Sequence, residues 1–119
     1  MKSSSAKQKA RRLQNAVAAA IRRRFGLAAS DVQPAPMGAP GADVRLSADA
    51  AARFPFSVEC KNVERLNVWD ALEQAERNAE GLTPILIFRR NRSKTYCVIE
   101  FEQFLEALDE SQQLESTDH

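Results

Sequence analysis

Gly41-Ala42-Asp43-Val44-Arg45-Leu46-Ser47, a short connector, then Phe54-Pro55-Phe56-Ser57-Val58-Glu59-Cys60-Lys61-Asn62 form the stretch from which the rest of the chain is read. Side chains alternate along an extended strand, so Phe56, Val58 and Cys60 point to one face and Ser57, Glu59 and Lys61 to the other. One face belongs to a core; the opposite face carries an acid and a lysine. Asp43 stands at the head of the preceding apolar run, next to Gly41, a residue that lets the backbone come close to a ligand. Two carboxylates from neighbouring strands can share a divalent cation, because hard cations take oxygen ligands and keep waters that a phosphate can displace.

This Asp…Glu-X-Lys layout resembles that of the PD-(D/E)XK nucleases. The likeness extends over Met37-Gly38-Ala39-Pro40-Gly41-Ala42-Asp43, Phe56-Ser57-Val58-Glu59-Cys60-Lys61-Asn62 and Leu66-Asn67-Val68-Trp69-Asp70-Ala71-Leu72-Glu73-Gln74-Ala75. Together these segments resemble the phage-type Holliday junction resolvases, over roughly Lys9 to Leu108. The resemblance implies Mg²⁺, replaceable by Mn²⁺, held by Asp43, Glu59 and the backbone carbonyl of Cys60. It implies Lys61 as the group that orients or deprotonates the attacking water, and Gln74 as the second-helix amide that positions the lysine or the water. In archaeal resolvases an acid occupies the first-helix position matched here by Gln14. That departure removes one carboxylate and leaves Gln14 to reach the metal through a water.

A chain of 119 residues with 44% hydrophobic content is enough for one core and one domain. The first apolar stretch, Ala16 to Ile21, is short, alanine-rich and followed by three arginines, unlike a secretory signal, and no run approaches membrane-spanning length. Cys60 and Cys97 fall at apolar strand positions without metal-ligand or disulfide spacing, so a reducing cytoplasm is expected, that of a bacterial host if the chain is phage-encoded. The only histidine is His119, which argues against histidine-based catalysis. Net charge is +1, yet eight of 17 bases precede Gly26 with no acid among them, and seven of 16 acids lie from Glu100 onward with no base. A basic end can track phosphates.

Residues 1–6 read as a disordered start, 7–108 as the single domain and 109–119 as an acidic disordered tail. Leu13, Val17, Ile21 and Phe25 make one stripe of a first helix ended by Gly26. The Pro- and Gly-rich segment from Ser30 to Gly41 reads as a loop, and Ala42 to Leu46 as the first strand. Ser47 caps a short helical connector, after which a second strand, antiparallel to the first, runs to Lys61. Asn67 opens a helix with Val68, Leu72, Ala75 and Ala79 on its buried stripe, Asn67, Gln74 and Asn78 along a different line, and Trp69 packed at its edge. Pro84 to Phe88 reads as a central strand covered on both faces, reached by a parallel crossover, and Thr95 to Ile99 as its hairpin partner. Phe101, Phe104, Leu105 and Leu108 make the stripe of a last helix, which with the strand edge near Tyr96 is apolar enough to contribute to a dimer surface; Phe101 and Leu105 read more simply as a cover for the sheet. The order αββαββα, a mixed central sheet flanked by helices, is that of a restriction-endonuclease-like α/β fold.

The expected DNA contacts are Lys9, Arg11 and Arg12 on the first helix and Arg89, Arg90, Arg92 and Lys94 at the hairpin tip. The expected activity is metal-dependent hydrolysis of a DNA phosphodiester, on branched DNA and by a homodimer, as the resemblance implies. A catalytically silent DNA-binding or assembly module of the same fold is the alternative, favoured by the missing first-helix acid.

Overall fold

The four-residue spacing of apolar side chains from Leu13 to Phe25 becomes one face of a long helix, α1 (Lys2–Phe25), closed by Gly26 at φ 63°. The computed structural model describes residues 2–117. Its other elements are β1 (Val32–Pro34), β2 (Val44–Leu46), α2 (Ala48–Arg53), β3 (Phe56–Asn62), α3 (Val68–Arg77), β4 (Thr83–Arg89), β5 (Tyr96–Val98) and α4 (Phe101–Thr117). β3, β4 and β5 form a mixed sheet in that order. β3 and β4 run parallel, with Phe56 opposite Thr83 and Asn62 opposite Arg89; β5 returns antiparallel, with Tyr96 opposite Phe88. α3 supplies the crossover that a parallel pair requires.

Each face of the sheet has its own helix. Leu13, Val17, Ala18 and Ile21 of α1 close on Val58, Cys60 and Ile85, with Val32 and Val44 in the same core. On the other face α3 buries only two alanines, Ala71 and Ala75, so its backbone can lie close to β3. Both helical connections start with a side-chain cap: Ser47 accepts the Ala50 N–H and Asn67 the Asp70 N–H. The outcome is the mixed α/β fold expected from the sequence.

Several elements differ from that expectation. Part of the Pro-rich loop is a strand: β1 pairs antiparallel with β2, Val32 opposite Leu46. Its Pro34 sits at the last ladder position, where a missing N–H is tolerated, and Val32 is fully buried. α1 fastens β1 through Arg22, whose Nη1 donates to Val32 O at 2.7 Å, so this arginine is structural. β2 forms no ladder with β3, and the two meet at Asp43 instead. Residues 2–6 and 109–117, expected to lack structure, continue α1 and α4; Met1, Asp118 and His119 lie outside the described residues. Glu110, Gln112, Gln113, Leu114 and Glu115 favour helix past Asp109. Trp69 is 78% exposed rather than packed, Cys97 is exposed on the short strand β5, and the Phe101–Leu108 stripe does not cover the sheet. β4 is accordingly buried at Ile85 and Leu86 and only half-buried beyond them.

Candidate active site

Asp43 takes its position from the free edge of β3. Its N–H donates to Val58 O at 2.8 Å, and its Oδ2 accepts the Cys60 N–H at 2.7 Å. The carboxylate therefore stands where a neighbouring strand would offer a carbonyl. A strand residue sends its N–H and C=O to the same edge, so the Cys60 carbonyl faces the edge that Asp43 occupies. Gly41, at φ 93°, provides the left-handed turn that brings the chain in.

Glu59 and Lys61 share the α3 face of β3, as the two-residue alternation requires. Glu59 is 3% exposed. Two residues of strand rise about 6.6 Å and four residues of helix about 6 Å, so two side chains one helical turn apart can match two side chains on a strand. Gln74 and Asn78 do this. Lys61 Nζ donates to Gln74 Oε1 at 3.0 Å, and Asn78 Nδ2 donates to Glu59 Oε1 at 3.4 Å. Lys61 Nζ also lies 3.7 Å from Glu59 Oε2. Beneath Asn78, the Ser57 hydroxyl donates to its backbone carbonyl at 3.2 Å and fixes the end of α3 against the strand.

Burial raises the carboxyl pKa of Asp43, offset in part by the Cys60 N–H and Lys61. Burial likewise raises Glu59, and the Asp43 charge pushes it further. Burial and the mutual repulsion of the two carboxylates both favour a proton on the pair. A cation placed there would take over the proton's role. Burial and the two nearby carboxylates push the Cys60 thiol well up, so it acts as a small apolar side chain.

Over residues 5–118 the sequence matches the model of a protein family described as phage putative PDDEXK endonuclease. The chain belongs to this family. Neither a curated protein nor a solved structure matches it significantly. Membership implies a nuclease with DNA as substrate, and nucleases of this superfamily usually work with a divalent metal. Among the described residues no three His, Cys, Asp or Glu side chains converge as a metal cluster, and no helix is long and apolar enough to cross a membrane. Asp43, Glu59 and the carbonyl edge at Cys60 would offer a cation oxygen atoms alone, which suits a hard cation that retains water.

The remaining expected residues divide. Gln14 is buried on α1, and no hydrogen bond links its amide to Asp43 or Glu59. Lys9, Arg12, Arg89, Arg90 and Arg92 line one cleft together with Asn62, Asn91 and Ser93, whereas Arg11 and Lys94 are not part of its lining. Sequence reasoning assigned no role to Asn78 or Ser57. The signal available for Asn78 was its spacing of four from Gln74, the helical counterpart of the spacing between Glu59 and Lys61.

Proposed function

We propose that this protein is a Mg²⁺-dependent DNA endonuclease that acts on branched DNA as a homodimer. The observation that carries the reading is the buried Asp43–Glu59 pair, raised in pKa and flanked by a lysine fixed to Gln74. Asp43, Glu59 and the Cys60 carbonyl would hold the ion, which when bound polarises a phosphoryl oxygen and acidifies a water. The lysine ammonium has three donors. One is taken by Gln74 and one faces Glu59, leaving a third for the water or for a phosphate oxygen. Gln74 thus sets the lysine's direction and Asn78 steadies Glu59. The basic side chains of α1 and the hairpin tip would bind the DNA backbone.

The homodimer reading is supported by exposed apolar surface: Trp69, Tyr96, Phe101, Phe104, Leu105 and Leu108 are all exposed, and among the described residues α4 makes no more than marginal contact with any other element. A silent DNA-binding module is the second reading, favoured by Gln14 standing where related nucleases have an acid. Incubating the purified protein with four-way-junction and linear DNA, with Mg²⁺, with Mn²⁺ and with chelator, tests the proposal. Metal-dependent nicking of the junction is expected. Binding without nicking in any metal would leave the silent module.

A further inference from the structure

A cleft of about 220 Å³ lies between Lys9, Arg12, Asn62, Arg89, Arg90 and Arg92. Five cations line it and no acid does. Glu64 takes the Asn91 N–H at 2.7 Å and lines the adjoining cleft instead. Among the described residues none of the five forms an ion pair. Bringing like charges together costs free energy unless an anion joins them.

The walls are also held in place. Asn62 Nδ2 donates to Lys9 O at 3.1 Å, which fixes the N-terminal half of α1 to the end of β3. At the hairpin tip the Ser93 hydroxyl accepts the Arg90 N–H at 3.0 Å and lies 3.1 Å from Arg90 O. Between them Arg92 has φ 63°, a left-handed conformation that costs a non-glycine residue about 1 kcal/mol or more. Asn62 directly follows Lys61, and because side chains alternate, Lys61 faces α3 while Asn62 faces α1. The cleft and the carboxylate site thus lie on opposite faces of the sheet, near the carboxyl end of β3.

We infer that this cleft is a preformed phosphate pocket that binds, without metal, a DNA phosphate other than the one cleaved. This rests on the nuclease reading for its partner, not for its chemistry. A substrate strand held in both places passes over the end of β3.

The test separates the pocket from the catalytic site. Titrating the intact protein with inorganic phosphate in chelator, followed by amide NMR, should give saturable shifts confined to residues around Lys9, Asn62 and 89–93. Arg92→Gly removes a guanidinium while suiting the positive φ, and Arg12→Gln removes one from an exposed helix position, so neither should unfold the chain. Each should weaken phosphate about tenfold, as expected when one charge-assisted hydrogen bond is removed. Arg23→Ala, with the same loss of charge at the far end of α1, should not. Asp43→Asn should leave phosphate binding intact, so failure of the nuclease reading and failure of the pocket give different results. In cleavage, a single neutral methylphosphonate should matter at one position away from the scissile bond, or removal of an end phosphate should, and Arg92→Gly should erase that sensitivity. Shifts spread over all basic residues, or equal weakening by Arg23→Ala, would overturn the pocket.

Discussion

The Asp43 carboxylate takes the Cys60 N–H that an adjoining strand's carbonyl would otherwise take, and it does so against Glu59. Because folding raises both carboxyls, the folded metal-free chain holds a proton more tightly than the unfolded one. The stabilising contribution is therefore full below the ordinary carboxylate range and is lost as pH rises through the raised values. Melting in chelator should show stability falling over that interval, and Mg²⁺ should restore it at neutral pH. Asp43→Asn keeps an oxygen for the Cys60 N–H and removes one charge of the pair. Its metal-free form should melt higher than wild type near neutral pH by a few degrees, since about 1 kcal/mol moves a domain of this size by roughly 4 °C. Cleavage should fall by about 10²-fold or more, and Mg²⁺ should no longer raise the melting temperature. A variant that cuts at the wild-type rate would remove Asp43 from the site. Gln14→Glu tests the other departure: tighter metal binding by calorimetry is expected if the side chain reaches the ion through water. The shared face of Glu59 and Lys61 was legible from alternation alone. Asn78 and Ser57 were not, because their partners depend on where α3 settles over β3.

Elements with strong periodicity were readable, and elements defined by a partner were not. α1 follows from its four-residue stripe, and the parallel β3–β4 pair from an apolar run preceded by a helix. β1 has three residues between prolines and glycines, and only its ladder with β2 and the burial of Val32 make it a strand. The same distinction applies to the hairpin joining β4 and β5. Its four basic residues were visible, but not that three of them converge with Lys9 and Arg12, which lie far away in sequence. Replacing Arg90 and Arg92 together by Ala should flatten the dependence of log affinity on log salt by close to two units, about 0.9 for each phosphate no longer neutralised. Fluorescence anisotropy across a salt series would show it. An unchanged slope would place the hairpin away from DNA.

For the molecule as a whole, cutting two strands of a junction symmetrically requires two sites related by a two-fold axis. Among the described residues one chain offers one candidate site. Its α4 has apolar residues at Phe101, Phe104, Leu105 and Leu108 that touch little, and an isolated helix of 17 residues is marginal in water. From the sequence Phe101 and Leu105 read more simply as a cover for the sheet, although the whole helix is apolar enough to contribute to a dimer surface. The exposure of Phe101 at 68% and Trp69 at 78% shows that one copy leaves it uncovered. If a second copy covers it, Phe101→Ser with Leu105→Glu should shift the protein to monomer in sedimentation velocity, while its melting temperature at low concentration stays near that of wild type. On a four-way junction the wild type should give paired, symmetry-related nicks, and the double variant single unpaired ones at a reduced rate. Linear duplex, which needs no second site, should be nicked equally by both. A wild-type monomer that still pairs its nicks would place the second active site elsewhere than across α4.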